Sequence, residues 1–146
     1  MGNSYYTYVE EHKLLIECFC GETEIKDVFE LKNVIESHLN QVPKLNILVD
    51  IQKNSSKPSF KKIDDFVEFY LKSEFSLKID RFAFVTDTPR QVANTMLIIE
   101  GIQNEVDIPF KIFSSVESAI NWLRSDISID RVKSILEDFK NTSVLE

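Results

Sequence analysis

The chain has 146 residues, a usual length for one domain, and its three Gly and four Pro give no sign of an internal linker. Hydrophobic residues make up 43% and charged residues 28% of the chain, a composition that excludes a disordered protein. The formal net charge of -7 disfavours binding to nucleic acid and stable association with an anionic membrane. We therefore expect one domain over residues 1–146, with neither of those partners.

Two strands are predicted at the N-terminus. Residues 5–9 are aromatic and β-branched, and residues 14–20 alternate between two faces, so the short polar segment 10–13 predicts an antiparallel hairpin. Cys18 and Cys20 lie two apart in the second strand, which places them on one face at an awkward separation for a disulfide. Free thiols suit a reducing compartment, so we expect a cytoplasmic protein.

A helix, a strand and a second helix follow in order. Residues 22–39 have helical spacing of apolar side chains, and residues 45–51 are almost continuously apolar, as in a central strand covered on both faces. A polar loop then leads to Ser59, which is predicted to cap a helix beginning at Phe60.

The second half of the chain repeats this alternation. Residues 81–86 form a predicted strand, and Thr88, Pro89 and Gln91 together predict a helix start with a capping box. That helix runs towards Gly101, with residues 96–99 as a short core segment. A strand at 109–113 precedes further helical segments. Ser114 and Glu117 are predicted to form the capping box of the first, and residues 128–140 have an amphipathic stripe.

The order β-β-α-β-α-β-α-β-α-α predicts the fold class. It indicates an α/β domain with a mixed, mostly parallel sheet of about five strands, because strand–helix–strand units use right-handed crossovers between parallel strands. The N-terminal hairpin adds an antiparallel edge strand. Four helices accompany the sheet, and residues 127–146 form a C-terminal amphipathic helical extension.

The chain resembles the STAS-like group, in particular the SpoIIAA-like relatives of bacterial anti-sigma-factor antagonists. The resemblance lies in the opening hairpin and in residues 48–50, 81–87, 110–113 and 117–123. It covers residues 4–124 and leaves the C-terminal extension unexplained. These motifs are mostly apolar, so they specify a fold better than an activity.

The resemblance implies a small cytosolic interaction or regulatory module, often dimeric, without established catalysis and without a cofactor. In the signalling branch a kinase phosphorylates a serine in an Asp-Ser-Ser-Gly segment at a helix start. The comparable residues 54–58 read Asn-Ser-Ser-Lys-Pro, which lacks the acidic residue and the glycine. The phosphorylation site is therefore not carried over to this chain.

Four loops should meet at the carboxyl ends of the parallel strands, where such sheets usually carry function. Helix N-termini in this place can bind an anion. The alternative is that their polar residues only start the helices, as Thr88 and Ser114 are expected to do. The candidate ligand-binding residues in these loops are Asp50, Ser55, Ser56, Thr86, Asp87, Ser114 and Ser115.

The sequence does not support a response-regulator site or a zinc site. Asp50 and Thr86 stand where a response-regulator receiver has its acceptor Asp and its Thr, but such receivers need an acidic pair for magnesium, and Glu22 supplies one carboxylate at most. Two Cys and two His do not form a defensible zinc site, because zinc needs four ligands and these residues lie on different elements. We expect no metal site.

The predicted helix after residue 59 carries more aromatic side chains than one helix face can bury. An exposed aromatic edge would form a surface for a partner or an apolar ligand. The alternative is that the C-terminal amphipathic segment packs over it. The predicted interaction surface consists of Phe60, Phe69, Tyr70 and Phe75.

Three functions follow from the sequence. The first is a non-catalytic regulatory module that acts through contacts with an unknown protein partner, as a homodimer. The second is a carrier or sensor of a small apolar ligand, bound between the 60–75 segment and the C-terminal helix. The third is an enzyme that uses Asp50 and Asp87, which requires both carboxylates to share a concave site.

Overall fold

The N-terminal residues form the predicted hairpin. The computed structural model describes residues 2–57 and 60–145, apart from the side chains of Phe60, Lys62, Val144 and Leu145. Strand β1 (Asn3–Val9) pairs antiparallel with β2 (Leu14–Cys20), and a single 3-10 turn joins them. Lys13 closes this turn in the left-handed region, at φ 51°.

The remaining strands extend the sheet in parallel. Strands β3 (Leu45–Asp50), β4 (Ile79–Val85) and β5 (Phe110–Phe113) follow, and the spatial order is β1-β2-β3-β4-β5. Every residue of β2 is buried, which agrees with a central strand between two layers. The predicted mixed sheet of five strands is confirmed.

Five helices alternate with these strands as the sequence predicts. Between β2 and β5 the chain forms α1 (Ile25–His38), α2 (Phe60–Lys72) and α3 (Pro89–Gln103). A 3-10 helix, Glu74–Lys78, links α2 to β4. After β5 come α4 (Val116–Leu123) and α5 (Ile129–Leu145), so the predicted C-terminal segment is one continuous helix.

The strand order decides which face each helix covers. Each crossover from β2 to β5 moves one position in the same direction, and right-handed crossovers then place α1, α2 and α3 on one face. Their apolar residues pack with the β2 side chains Leu15 and Phe19. The opposite face, which includes Leu14 and Ile16, is covered by α4 and α5.

This arrangement corrects the expected position of the C-terminal helix. The alternative in which residues 128–140 pack over the aromatic side chains of α2 is wrong, because α5 packs in the opposite layer with Val132 and Leu136 buried there. A ligand between α2 and the C-terminal helix is excluded for the same reason. The sheet lies between these two helices.

The helix starts are confirmed in one case and corrected in another. Thr88 and Gln91 form the predicted capping box, in which the Thr88 hydroxyl accepts the Gln91 N–H at 3.2 Å. The capping box of Ser114 and Glu117 is wrong: α4 begins one residue later than predicted, and Ser115 accepts the Ser118 N–H at 3.2 Å. Ser59, the predicted cap of α2, lies outside the described residues.

Helix α3 differs from its prediction at its centre and at its end. Met96 and Leu97 are 49% and 41% exposed, so residues 96–99 are not a core segment, although Ile99 is buried. The helix also continues past Gly101, where it comes close to α2. A Cβ atom on Gly101 would lie 2.5 Å from Cγ2 of Val67, so the two helices can be this close only because position 101 has no side chain.

Candidate ligand-binding site

A cavity of about 540 Å³ lies between the sheet and the helices α1, α2 and α3. Ligand pockets in proteins span about 300–1,000 Å³ and have mostly apolar walls. The deep part of this cavity has that character. Its walls include Phe19, Val28, Val49, Phe66, Phe82 and Ile98.

Aromatic rings form much of the cavity wall. Phe82 of β4 stacks on Phe84 with 4.8 Å between ring centroids, and Tyr70 of α2 meets Phe82 edge-on at 5.9 Å. Phe29 of α1 contacts Phe66 and stacks on Phe69, at 5.6 and 4.9 Å. These rings pack on one another between α1, α2 and the sheet, and Phe66, Tyr70, Phe82 and Phe84 line the cavity.

A buried ion pair lies at the base of the cavity. The Lys32 Nζ atom of α1 is 2.5 Å and 2.7 Å from the two carboxylate oxygens of Glu17 in β2. It also lies 5.5 Å from the centroid of the Phe82 ring and 5.7 Å from that of Tyr70. Lys32 lines the cavity, whereas Glu17 is fully buried behind it.

The charges of this pair depend on each other. Burial alone would lower the pKa of Lys32, but the Glu17 carboxylate outweighs burial and raises that pKa above its usual value. Burial also raises the pKa of the Tyr70 hydroxyl, which stays neutral beside the ammonium. The pair is therefore an internally neutralised unit.

This pair was not among the predicted site residues, although the sequence context of each member is unusual. Glu17 is the one charged residue in the otherwise apolar strand β2, and Lys32 stands on the apolar stripe of α1 between Val28 and Ile35. An ion pair between Glu17 and Lys32 can be predicted only if β2 and α1 are already known to pack together. The sequence shows each charged residue among apolar neighbours but does not show that contact.

The mouth of the cavity is held by a polar network between two loops. The Ser56 hydroxyl accepts the Thr23 N–H at 2.9 Å and donates to the Thr23 carbonyl at 3.0 Å. Asn54 donates from its side chain to the Thr23 hydroxyl at 2.9 Å. The backbone of Gly21 exchanges hydrogen bonds of 2.9 Å with Lys53 and Ser55. These bonds fix the loop after β3 against the start of α1.

Gln91 connects this loop to α3. Its side-chain oxygen accepts the backbone N–H groups of Asp87 and Thr88, at 2.6 and 3.1 Å. Its side-chain nitrogen donates to the carbonyls of Gln52 and Asn54, at 3.2 and 2.9 Å. The capping residue predicted from the sequence thus has a second role, which is to position the N-terminus of α3 at the cavity mouth.

Only two of the predicted ligand-binding residues reach the cavity. Ser55 and Ser56 line its mouth, although the Ser56 hydroxyl is used in the loop network. Asp50 lies on the other side of the sheet. It is fully buried, its Oδ2 is 2.8 Å from Nζ of Lys140 in α5, and its Oδ1 accepts the Gln52 N–H at 2.9 Å. It therefore holds α5 on the sheet.

The other four predicted ligand-binding residues are not among the described residues that line the cavity. Thr86 is buried, and its hydroxyl lies 3.5 Å from the Phe113 carbonyl oxygen. Asp87 and Ser114 are exposed, and Ser115 caps α4. The expected convergence of all four loops into one site is therefore wrong for these residues.

The predicted aromatic interaction surface does not form one exposed edge where the structure describes it. Phe69 packs on Phe29, Tyr70 is buried against the cavity, and Phe75 is half-buried beside Lys78. The side chain of Phe60 lies outside the described part. The surplus aromatic residues of α2 therefore build a cavity wall and a helix–helix contact rather than an exposed edge.

The two cysteines lie in the layer of α4 and α5. Both are free thiols, as the strand spacing predicts, and their sulfur atoms lie 3.6 Å apart. Burial raises the pKa of the Cys18 thiol, and the nearby Asp50 carboxylate raises it further. The Cys18 thiol is therefore a protonated core side chain and not an activated nucleophile.

The described part of the chain has neither a metal-ion cluster nor a membrane-spanning helix. Within residues 2–57 and 60–145, no group of three or more His, Cys, Asp or Glu side chains is placed to hold a metal ion. None of the helices in that part of the chain combines the length and the apolar character that a membrane span requires.

The fold and the cavity together define a five-stranded α/β domain with a ligand-sized apolar cavity on one face of its sheet. The family model described as SpoIIAA-like matches residues 18–124, and the chain belongs to this family. The matched region contains the cavity and ends before α5. Membership suggests a protein-interaction or regulatory role.

A solved structure shares the fold. It is an uncharacterized protein of the DUF3478 family with a SpoIIAA-like fold from Shewanella loihica PV-4, and it aligns at a TM-score of 0.61 with 19% identity. The alignment covers 84% of this chain and 93% of that one. The search of curated proteins gives no match.

Proposed function

We propose that this protein is a non-catalytic, cytoplasmic binding module that carries or senses a small apolar molecule in the cavity beneath α1, α2 and α3. The observation that carries the proposal is the cavity itself, with its aromatic walls and its volume of about 540 Å³. Apolar wall left in contact with water is unfavourable by about 25 cal/mol per Å², and water gains few hydrogen bonds among such walls. An apolar occupant is therefore favoured.

The regulatory role suggested by the family fits this binding mode. The cavity lies among three helices, so an occupant contacts α1, α2 and α3 at once. A ligand that binds one arrangement of these helices better than another shifts the population towards it. The surface that α1, α2 and α3 offer to a protein partner then depends on whether the cavity is filled.

An enzyme that uses Asp50 and Asp87 has no support from the geometry. Asp50 is fully buried and paired with Lys140 of α5, so a substrate does not reach its carboxylate. Asp87 is exposed on the loop before α3. Neither residue is among the described residues that line the cavity.

The proposal is tested by filling the cavity. Ile98 of α3 lines it, whereas its neighbour Leu97 is exposed and does not. The neutral fluorescent probe N-phenyl-1-naphthylamine should bind the wild type with increased emission. Ile98→Trp should weaken this binding at least about tenfold, because the indole occupies the space of the probe.

Leu97→Trp is the matched control, since it places the same side chain on the other face of the same helix. It should leave the probe affinity within about twofold of the wild type. Thermal melts establish that both variants are folded. Equal binding to the wild type and to folded Ile98→Trp would show that the probe does not use this cavity, and the proposal would then be lost.

A further inference from the structure

We propose that the ligand of this cavity is an amphipathic anion, whose apolar body lies among α1, α2 and α3 and whose carboxylate is bound at the mouth by Lys57 and Arg90. The inference rests on the proposed function and adds the chemical class of the ligand.

The charge of the cavity wall is opposite to that of the whole chain. The protein has 24 acidic and 17 basic residues, so acidic side chains dominate its surface. The charged residues of the cavity wall, within the described part of the chain, are all basic: Lys32, Lys57 and Arg90. A cleft with one sign of charge and low-dielectric walls concentrates ligands of the opposite sign.

The three cations are not equivalent. Both carboxylate oxygens of Glu17 bind the Lys32 ammonium, which neutralises the base of the cavity. Lys57 and Arg90 are exposed at the mouth, and neither forms an ion pair with another described residue. The positive charge available to a ligand therefore lies at the opening, and the interior is apolar.

Both cations are carried by the fixed polar network of the mouth. Arg90 adjoins Gln91, whose side chain holds the N-terminus of α3 to the Gln52 and Asn54 carbonyls. Lys57 follows Ser56, whose hydroxyl is bound to Thr23. The backbone that carries the two cations is therefore held by hydrogen bonds before a ligand arrives, and this lowers the entropic cost of binding.

This distribution matches a ligand with a long apolar part and one anionic end. An alkyl or aromatic body suits the walls, while a carboxylate at the mouth would accept charge-assisted hydrogen bonds from the Arg90 guanidinium and the Lys57 ammonium. A neutral apolar molecule would leave both cations without a partner. A polyanion would place further charge against apolar walls, which is unfavourable.

The test compares two ligands that differ in one end group. Dodecanoate and dodecanol compete with N-phenyl-1-naphthylamine for the wild type and for the variant Lys57→Gln/Arg90→Gln. In the wild type dodecanoate should bind at least about tenfold more tightly than dodecanol, and in the variant this preference should fall to within about twofold. Added salt should weaken dodecanoate alone, because it screens exposed charges.

A matched control separates local charge from net charge. Lys26→Gln/Lys61→Gln removes the same two charges from exposed positions that do not line the cavity, so the dodecanoate preference should be kept. Equal affinities of the two ligands in the wild type, or an equal loss in both double variants, would overturn the anion proposal while the probe still binds. Failure of the probe itself to bind would overturn the proposed function instead.

Discussion

Glu17 and Lys32 show at the scale of single residues how a charge is kept beneath an apolar cavity. Each ion would be costly to bury alone, and their separations of 2.5 and 2.7 Å make them a unit that is neutral as a whole. The Phe82 and Tyr70 rings beside the ammonium add an attraction to their π faces. The pair thereby joins α1 to β2 at the base of the cavity without presenting net charge to a ligand.

Removing one member of this pair should be more harmful than removing both. Lys32→Met leaves the Glu17 carboxylate buried without its cation, and we expect the free energy of unfolding to fall by about 3 kcal/mol or more. Glu17→Leu/Lys32→Met replaces both ions by apolar side chains and should recover most of this loss. Urea unfolding at neutral pH measures both changes.

Lys26→Met on the exposed side of α1 is the control and should change the free energy of unfolding by less than about 0.5 kcal/mol.

The pH dependence of stability is a second measurement of the role of the pair. The pKa of Lys32 in the folded protein is raised above its ordinary value of 10.5. The stability that the charged ammonium adds is therefore fully present below pH 10.5, and it is lost as the pH rises through the folded pKa. The wild type should therefore lose more stability in this alkaline range than Lys32→Met. Equal losses, or a single variant as stable as the double, would contradict the role given to the pair.

At the scale of elements, the position of α2 against α3 depends on one glycine. Gly101→Ala would raise the helix propensity of α3 by about 1 kcal/mol, but its Cβ would lie 2.5 Å from Cγ2 of Val67. Overpacking of this kind costs about 1–3 kcal/mol, so the variant should gain no stability and should lose some. Denaturant unfolding of the purified variant measures the change.

The Val67→Ala background distinguishes the clash from other effects. Val67→Ala removes the methyl groups that the new Cβ would meet, so Gly101→Ala should be less harmful there, by a coupling of at least about 1 kcal/mol in a double-mutant cycle. Additive effects of the two substitutions would show that α2 and α3 do not touch at this point. The same cycle run on the probe affinity tells whether the spacing of α2 and α3 also controls the cavity.

The sequence predicted the helices and strands better than it predicted which of them pack together in space. Strand alternation in β2 and the capping box of Thr88 and Gln91 are local signals, and both are confirmed. The face of the sheet that α5 covers depends on the spatial order of the strands, and this order cannot be read from the sequence. The cavity could not be predicted at all, because a void is what remains after Phe82, Tyr70 and their neighbours have packed.

The whole molecule has two layers of helices with different roles. The layer of α1, α2 and α3 encloses the cavity, whereas the layer of α4 and α5 is a closed core that includes the buried Cys18 and Ala119. Helix α5 lies outside the region that the family model matches. Because three crossovers place their helices on one face, the other face would remain largely uncovered without the two C-terminal helices.

A chain that ends at residue 126 should therefore fail to form a cooperative fold, although it contains every residue of the family match. It lacks Val132 and Leu136, which are buried on the sheet, and Phe139, which stacks on Tyr5 at 5.4 Å between ring centroids. It also leaves Asp50 buried without Lys140. Such losses together reach the roughly 5–15 kcal/mol by which domains are stable.

A chain that ends at residue 140 is the matched control, because it keeps the Asp50–Lys140 ion pair and the Tyr5–Phe139 stack. It should melt cooperatively within a few degrees of the full chain, whereas the shorter chain should bind a dye for exposed apolar surface and show no sharp transition. Burial alone would lower the pKa of Lys140, but Asp50 holds it raised, so the ammonium stays charged in the folded chain. A sharp melt of the shorter chain near the full-length temperature would show that α4 covers this face unaided, and that α5 has a purpose other than closing the core.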